Sequence, residues 1–246
     1  MNPFAGKKAI VAGGSRGIGR AVVRRLTAGG ADVVFSYATD DAAAHELTAE
    51  LTGLGAKIWA VRADSGSPEQ VEHLFTEADA HLGGLDVLVG NAGITSASPL
   101  AEVTAAEYDR VMAVNARGAF LAIQHAARRM GEGGRIVNIT SMSTAYATPG
   151  ESVYAASKAA VEQFTRVAAK ELAPRGITVN AVAPGPTDTG LLRGAVPAEA
   201  LEATAAMIPL GRLGEPADIA DVVALLAGPD SHWVTGHTVL ATGGLV

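Results

Sequence analysis

Short apolar runs alternate with longer amphipathic ones along nearly the whole chain, and this alternation restricts the fold more than any other feature. Residues 7–12, 32–37, 57–63, 86–91, 135–140 and 178–184 are short, rich in β-branched residues and mostly not polar at alternate positions. Such runs suit parallel strands covered on both faces. "TVLAT" at 238–242 reads as a seventh strand. Helical patterns fall between them at about 17–29, 40–54, 68–82, 99–112, 117–131, 153–173 and 216–227. Start and stop signals agree: Ser67 caps a helix with Pro68 at its first position and Glu69 in its first turn, and Gly228 followed by Pro229 ends the last one. Strand and helix alternating at these loop lengths imply an α/β protein, a doubly wound parallel sheet of about seven strands with helices on both faces. No linker, repeat or low-complexity tract divides the chain, so residues 1–246 read as a single domain. The one irregular stretch, 185–214 with Pro186, Pro197 and Pro209, is placed to form a lid over the carboxyl edge of the sheet, where open α/β folds bind ligands.

The first strand runs directly into "AGGSRGIGRAVVRRL". Gly13, Gly17 and Gly19 make a GxxxGxG loop that opens an amphipathic helix, the arrangement that lets backbone approach a pyrophosphate at a helix N-terminus. Ser15, Arg16 and Ile18 complete the loop. The end of the second strand selects the cofactor. A loop for NAD usually places an acid there to bind the ribose hydroxyls. Here Ser36 and Tyr37 occupy the place, and Arg16 is positioned to meet a 2′-phosphate, so NADP(H) is favoured over NAD(H). Asp40 and Asp41 cap or open the next helix, or one of them serves as the ribose acid if the loop folds back.

"YAASK" opens the long sixth pattern with a phenol and an ammonium, Tyr154 and Lys158, one helical turn apart. Ser141 lies thirteen residues earlier at the end of the fifth strand, and Asn115 within a helical region before that. Together with "GGSRGIG", "RADS", "NAG" at 91–93, "VNARG", "APGPTDT" and "VTGHTVLATGG", these residues make the chain resemble the short-chain dehydrogenase/reductase family over nearly its whole length, and so a Rossmann fold. The resemblance implies transfer of a hydride between the cofactor and a ketone, aldehyde or alcohol. Tyr154 would be the proton donor and acceptor, Ser141 the holder of the carbonyl oxygen, and Lys158 a ligand of the nicotinamide ribose. Asn115 would orient a water that relays protons from Lys158. A positive Lys158 and the nicotinamide charge are expected to lower the Tyr154 pKa. The resemblance also sets Asp64 and Ser65 at the adenine, and Asn91, Ala92 and Gly93 against the adenosine ribose. Pro184, Gly185, Thr187 and Thr189 would wall the nicotinamide so that the pro-S hydride is the one transferred. The family's usual threonine at the head of the glycine loop is Ala12 here, which removes a hydroxyl that braces the loop, and its "NGG" or "DGG" is "TGG" at 242–244.

Substrate specificity is expected from the loop after Ser141 and from the lid. Met142, Ser143, Tyr146, Leu191, Leu192, Val196, Met207 and Ile208 suit an apolar, roomy site, or equally a core or subunit contact, and Arg193 is the one lid residue that could mark an anionic substrate. Reduction of 3-oxoacyl groups on acyl carrier protein is an alternative, but "MGEGGRI" lacks the basic residues that would dock an acidic carrier, although Arg128 and Arg129 come just before it. An alternative of another class is a sensor or scaffold that binds NADP without chemistry. The net charge of −6 and the absence of a basic cluster argue against nucleic acid or an anionic membrane as partner. Without cysteine there is no disulfide and no cysteine-held metal, and no metal is expected. The N-terminus lacks a signal-peptide pattern, so the chain is expected in the cytoplasm. The family resemblance implies a homotetramer built on the helices at 117–131 and 153–173 and on the C-terminal strand, and apolar residues on more than one face of those helices are consistent with burial against both the sheet and a partner subunit.

Overall fold

The computed structural model describes residues 2–246. Seven strands form one parallel sheet: β1 (Lys8–Ala12), β2 (Asp32–Tyr37), β3 (Ile58–Arg62), β4 (Val87–Gly90), β5 (Arg135–Ile139), β6 (Thr178–Pro184) and β7 (Thr238–Ala241). Their order is β3-β2-β1-β4-β5-β6-β7. Every neighbouring pair is parallel, for example Ile10 beside Val34 on one side and Leu88 on the other. The order reverses between β1 and β4, which opens a crevice at their carboxyl ends.

Alternate strand residues feed two cores. Val11, Val33, Phe35 and Val89 pack with Val22, Leu26, Ile219 and Val223 of α1 (Gly17–Ala28) and α9 (Pro216–Ala227), with Leu47 of α2 (Asp41–Gly53) beside them. Ile10, Val34, Leu88 and Ile136 pack on the other face with Leu74 and Phe75 of α3 (Pro68–Leu82), Ile123 of α5 (Gly118–Arg129) and Leu172 of α6 (Ser152–Leu172). A sheet covered on both faces needs apolar residues on both, which is why its strands read as continuous apolar runs.

Two segments differ from the sequence reading. The pattern at 99–112 contains α4 (Ala105–Val111), which continues through a π-helical stretch, Met112–Arg117, into α5. The stretch 185–214 is not irregular throughout: it holds α7 (Gly190–Ala195) and α8 (Ala198–Met207), and a parallel bridge from Thr187 to Gly214 closes its base. No helix among the described residues is long and apolar enough to cross a membrane.

Candidate active site

The glycine loop leaves β1 with Gly13 at φ +74° and Gly17 at φ +52°, backbone that side-chain-bearing residues adopt at a cost. Close approach matters as much. A Cβ on Gly13 would lie 2.8 Å from the Ala92 Cα, and one on Gly19 would lie 2.0 Å from the Gly13 carbonyl oxygen. The loop after β4 therefore presses directly on the loop after β1. Asn91 locks the contact, its Nδ2 donating to the Gly13 carbonyl at 2.7 Å. On the other side the Gly13 N–H donates to Ser36 Oγ at 3.0 Å. Ser36 is buried, so it faces the loop as a brace and not the cofactor cleft as expected. It does the work of the hydroxyl missing at Ala12.

Ser15 is buried beneath the loop and Ile18 is half-buried at the start of α1. The N-terminus of α1 carries no side-chain cap and no acid in its first turn. By contrast α2, α3, α4 and α9 all place an acid there. A helix N-terminus kept clear of carboxylates, behind a loop that glycine packing brings close, fits the pyrophosphate of a dinucleotide. Arg16, exposed at the N-cap position, lies 3.6 Å from Asp40 Oδ2. The other Asp40 oxygen accepts from the Ala43 N–H at 3.0 Å, so Asp40 does cap α2. Tyr37 differs from expectation. Its ring is buried in the core, and burial together with the neighbouring Asp41 carboxylate pushes its pKa up. Arg62 adds a second guanidinium at this edge, its Nε donating to the Ala38 carbonyl at 3.2 Å. Asp64 turns the chain after β3, accepting from the Gly66 N–H at 2.8 Å, while Ser65 packs on Gly118 at the start of α5.

The π-helical stretch places Asn115 inside the molecule. Its Oδ1 accepts from the Ile94 N–H at 2.8 Å, and its Nδ2 donates to the Ile94 carbonyl and to Ser157 Oγ at 2.9 and 3.0 Å. Ser157 in turn donates to the Tyr154 carbonyl at 2.6 Å, which ties α6 to the loop after β4. A Cβ on Gly93 would lie 3.1 Å from Lys158 Nζ and 3.4 Å from Asn115 Oδ1, so Gly93 separates the two polar groups by one backbone thickness. Lys158 is buried; its Nζ donates to the Ile139 carbonyl at 3.0 Å and sits 6.0 Å from the centre of the Tyr154 ring. Burial lowers its pKa to about 8. Ser141, at the end of β5, stands close enough to the Tyr154 hydroxyl to pull its pKa down. Asn115, Ser141, Tyr154 and Lys158 thus converge at the carboxyl edge, beside the glycine loop.

The expected electrostatics need one correction. In the protein alone the Tyr154 pKa is raised, first by burial and then by the Glu151 carboxylate, against a lowering by Ser141. The lysine stands over the ring rather than at the hydroxyl and its own charge is disfavoured by burial, so it does not make the phenol acidic unaided. Ser157 and Glu151 were absent from the sequence reading. Glu151 immediately precedes α6 and accepts from Ser143 Oγ at 2.6 Å.

The substrate side is looser. Met142 and Ser143 lie on a single 3₁₀ turn after Ser141, and Tyr146 is exposed just beyond it. Leu191 is exposed and Leu192 half-buried on α7, Val196 is half-buried after it, and Met207 is exposed at the end of α8. Ile208 instead is buried against Gly243, the core alternative. Arg193 is bidentate to Asp188 at 2.6 and 2.7 Å, so its charge is already matched inside the lid. Pro184 ends β6, Gly185 donates to the Ala241 carbonyl at 2.9 Å, and Thr187 donates to the Gly185 carbonyl at 2.9 Å. Thr189 caps α7, and its methyl lies 3.4 Å from where a Gly17 Cβ would stand, so the base of the lid touches the glycine loop. Among the described residues no cluster could hold a metal ion.

A family model described as enoyl-(acyl carrier protein) reductase matches residues 12–246. A hydroxynaphthalene reductase-like protein of Metarhizium brunneum is 41% identical over 256 residues, spanning 99% of this chain and 96% of the relative. A blue fluorescent protein from a metagenomic library, crystallised with NADPH, superposes with a TM-score of 0.95 at 44% identity, covering 99% of each chain. A short chain dehydrogenase from Burkholderia cenocepacia, crystallised with NADP, gives a TM-score of 0.94 at 40% identity over 99% of each chain.

Proposed function

The chain belongs to the short-chain dehydrogenase/reductase family, and we propose that it interconverts a ketone or aldehyde and the corresponding alcohol with NADP(H), Tyr154 acting as acid and base. The observation that carries this reading is the convergence of Tyr154, Ser141 and Lys158 at the carboxyl edge beside an α1 N-terminus free of acids. The glycine loop, the Asn91 brace and the open helix end fit a dinucleotide pyrophosphate, and Arg16 fits the 2′-phosphate. When bound, the nicotinamide supplies or accepts the hydride.

The chain's own residues do the rest. In reduction Tyr154 gives its proton to the oxygen that develops negative charge, and Ser141 holds that oxygen beside it. Lys158 presents its ammonium to the ribose and raises the positive potential around Tyr154. Asn115 fixes the Ile94 backbone and α6 relative to each other, which keeps the Tyr154 hydroxyl in register with the cleft. Proton transfer by a positioned side chain contributes about 10²–10⁴-fold. Tyr154→Phe is accordingly expected to lower turnover of a ketone panel about a thousandfold while leaving NADPH binding intact. An unchanged rate rejects the role, and it would favour a protein that binds the cofactor without chemistry.

A free carbonyl compound is preferred to a 3-oxoacyl group on a carrier. Arg128 and Arg129 lie at the C-terminal end of α5, just before the strand that starts with Arg135, and so at the amino edge of the sheet, away from the site. Arg129 is also paired with Asp79 at 2.9 Å. The same reading makes the chain one dinucleotide-binding and catalytic unit with its lid at 185–214. It also has the chain assembling as a cytoplasmic homotetramer through α5, α6 and β7, whose Phe120, Val167 and Leu240 are exposed.

A further inference from the structure

Arg62 is the last residue of β3, and in the β2–β3 ladder it is the partner of Tyr37. Ile58 and Ala60 precede it on the same face of the strand and pack with the core beneath α1 and α2. Arg62 therefore stands on that face too, at its carboxyl end. The ladder closes with the Ala63 N–H donating to the Tyr37 carbonyl at 2.8 Å. One step further, the Arg62 Nε donates to the Ala38 carbonyl at 3.2 Å. Its Nη1 stays 4.0 Å from Asp41 Oδ2, too far for a hydrogen bond. The guanidinium is thus anchored through Nε and exposed, and among the described residues its two terminal nitrogens have no hydrogen-bond partner.

Arg16 and Arg62 approach the same short loop from different elements. Arg16, at the N-cap position of α1, lies 3.6 Å from Asp40, and Arg62 lies beside Asp41. A phosphate brought to Arg16 alone would meet two adjacent carboxylates and one cation, a balance that repels a dianion. With Arg62 the four charges cancel, and two guanidinium forks remain whose paired donors match phosphate oxygens. The next arginine along α1 is no substitute, since Arg20 is held by Glu46 and Glu50 at 2.7 and 3.2 Å. We propose that Arg62 is a second contact for the 2′-phosphate of NADP(H), and that the preference over NAD(H) needs Arg16 and Arg62 together. The proposal rests on the cofactor assigned above.

Two duties are separated within this one side chain. Nε fixes the fork to the loop, and the terminal nitrogens are left for a ligand. A brace alone needs only the first. Glutamine supplies that equally, because its Nε2 takes the place of the arginine Nε and donates to the same carbonyl. The pairs at 3.6 and 4.0 Å are long and lie in solvent, so a phosphate gives up little in drawing both guanidiniums to itself. With Arg62 removed, Asp40 and Asp41 face a single cation. The loop then suits ribose hydroxyls, which donate to a carboxylate, better than it suits a phosphate.

Arg62→Gln tests the assignment without turnover, by titration calorimetry with 2′,5′-ADP and with 5′-AMP, which lacks the 2′-phosphate. The variant should bind 2′,5′-ADP about fivefold more weakly than wild type and 5′-AMP equally well. The loss should shrink as salt is raised, since the charges are exposed. Arg62→Lys keeps the charge without the fork, should fall between the two, and carries the test if Arg62→Gln fails to fold. Unchanged affinity for 2′,5′-ADP in both variants overturns the proposal. An equal loss for both nucleotides overturns it too and leaves Arg62 as a brace of the loop. A loss in Arg16→Gln with none in Arg62→Gln leaves Arg16 as the sole contact. If wild type binds the two nucleotides alike, the NADP(H) assignment itself fails and takes the proposal with it.

Discussion

Asp40 offers a direct measure of how the chain selects its cofactor. One oxygen caps α2 through the Ala43 N–H, and the other lies 3.6 Å from the Arg16 guanidinium. A 2′-phosphate arriving at Arg16 meets that carboxylate in two ways. It must share the guanidinium, and the pair it weakens is exposed, with side-chain accessibilities of 69% and 34%, so the cost is at most about 1 kcal/mol. It is also repelled: a dianion about 6 Å from a carboxylate in water loses about 1 kcal/mol, less at physiological salt. Asp40→Asn removes both terms. Asparagine caps a helix as well as aspartate does, so α2 keeps its start and stability should not move. The two terms together, about 1–2 kcal/mol, correspond to a roughly tenfold lower KM for NADPH, with the KM for NADH unchanged. Initial rates with each cofactor, at low and at high salt, read the effect directly. Asp40→Ala serves as a control, since it also frees Arg16 but costs about 1 kcal/mol of helix capping. An equal shift for both cofactors, or none for NADPH, would refute the reasoning and remove Arg16 from the phosphate site.

Lys158→Met should be inactive yet more stable at pH 7 by about 2 kcal/mol, because burial of the ammonium costs about 3 kcal/mol and its bond to the Ile139 carbonyl returns about 1. The lysine pKa is about 8 in the folded chain against 10.5 ordinarily, so the unfolded chain binds the extra proton between these values. Wild-type stability should therefore gain with pH across that window and the variant should lack the gain; urea unfolding at several pH values would show either. Gly19→Ala puts a Cβ 2.0 Å from the Gly13 carbonyl, a backbone clash that no rotamer relieves. It should cost about 1–3 kcal/mol, or several degrees in Tm, and abolish dinucleotide binding, whereas a stable, binding-competent variant would contradict the packing described. Asp218 has its pKa lowered to about 2 by the bidentate Arg212 pair and the Glu215 N–H. The stability it supplies is full above its ordinary 3.8 and is lost as pH falls towards 2. With its side chain 42% exposed, Asp218→Asn should cost about 1 kcal/mol at neutral pH and flatten acid unfolding in that range.

All seven strands were legible because a sheet covered on both faces leaves no alternation to misread: Val33, Val34 and Phe35 are all buried, on opposite sides. The stretch 185–214 with its three prolines was read as irregular, but Pro197 stands at the N-cap position of α8, where its missing N–H costs nothing, and the alanine-rich run after it is a good helix former. The π-helical stretch at Met112–Arg117 has no mark in the sequence, since it depends on Asn115 bonding the Ile94 backbone from a distant loop. Helical spacing set Tyr154 and Lys158 on one face, but their reading as a site came only from their company with the glycine loop, Ser141 and Asn115. Ser36 and Tyr37 were set at the cofactor because they stand where an NAD-binding loop has its acid, whereas in the fold both are buried and Ser36 braces Gly13. The link from Ser141 through Ser143 to Glu151 was hidden for a different reason. It is made by a single 3₁₀ turn that brings the chain back on itself before α6 begins.

The two halves of the cleft differ in how they are held, and that difference bears on what each can discriminate. On the cofactor side, backbone is pinned by buried or half-buried side chains: Ser36 and Asn91 hold Gly13 from two directions, and Asn115 grips Ile94 with both of its polar atoms. A wall fixed before binding spends little on ordering, so recognition of one dinucleotide can be tight. On the substrate side the exposed Tyr146, Leu191 and Met207 stand on a turn and on two short helices, and the Arg193–Asp188 pair ties α7 only to the residues just before it. Apolar contacts from such elements discriminate weakly, at about 1–3 kcal/mol for a methylene. The chain should therefore separate cofactors sharply and ketones loosely, and a ketone panel should give kcat/KM values that rise smoothly with apolar size.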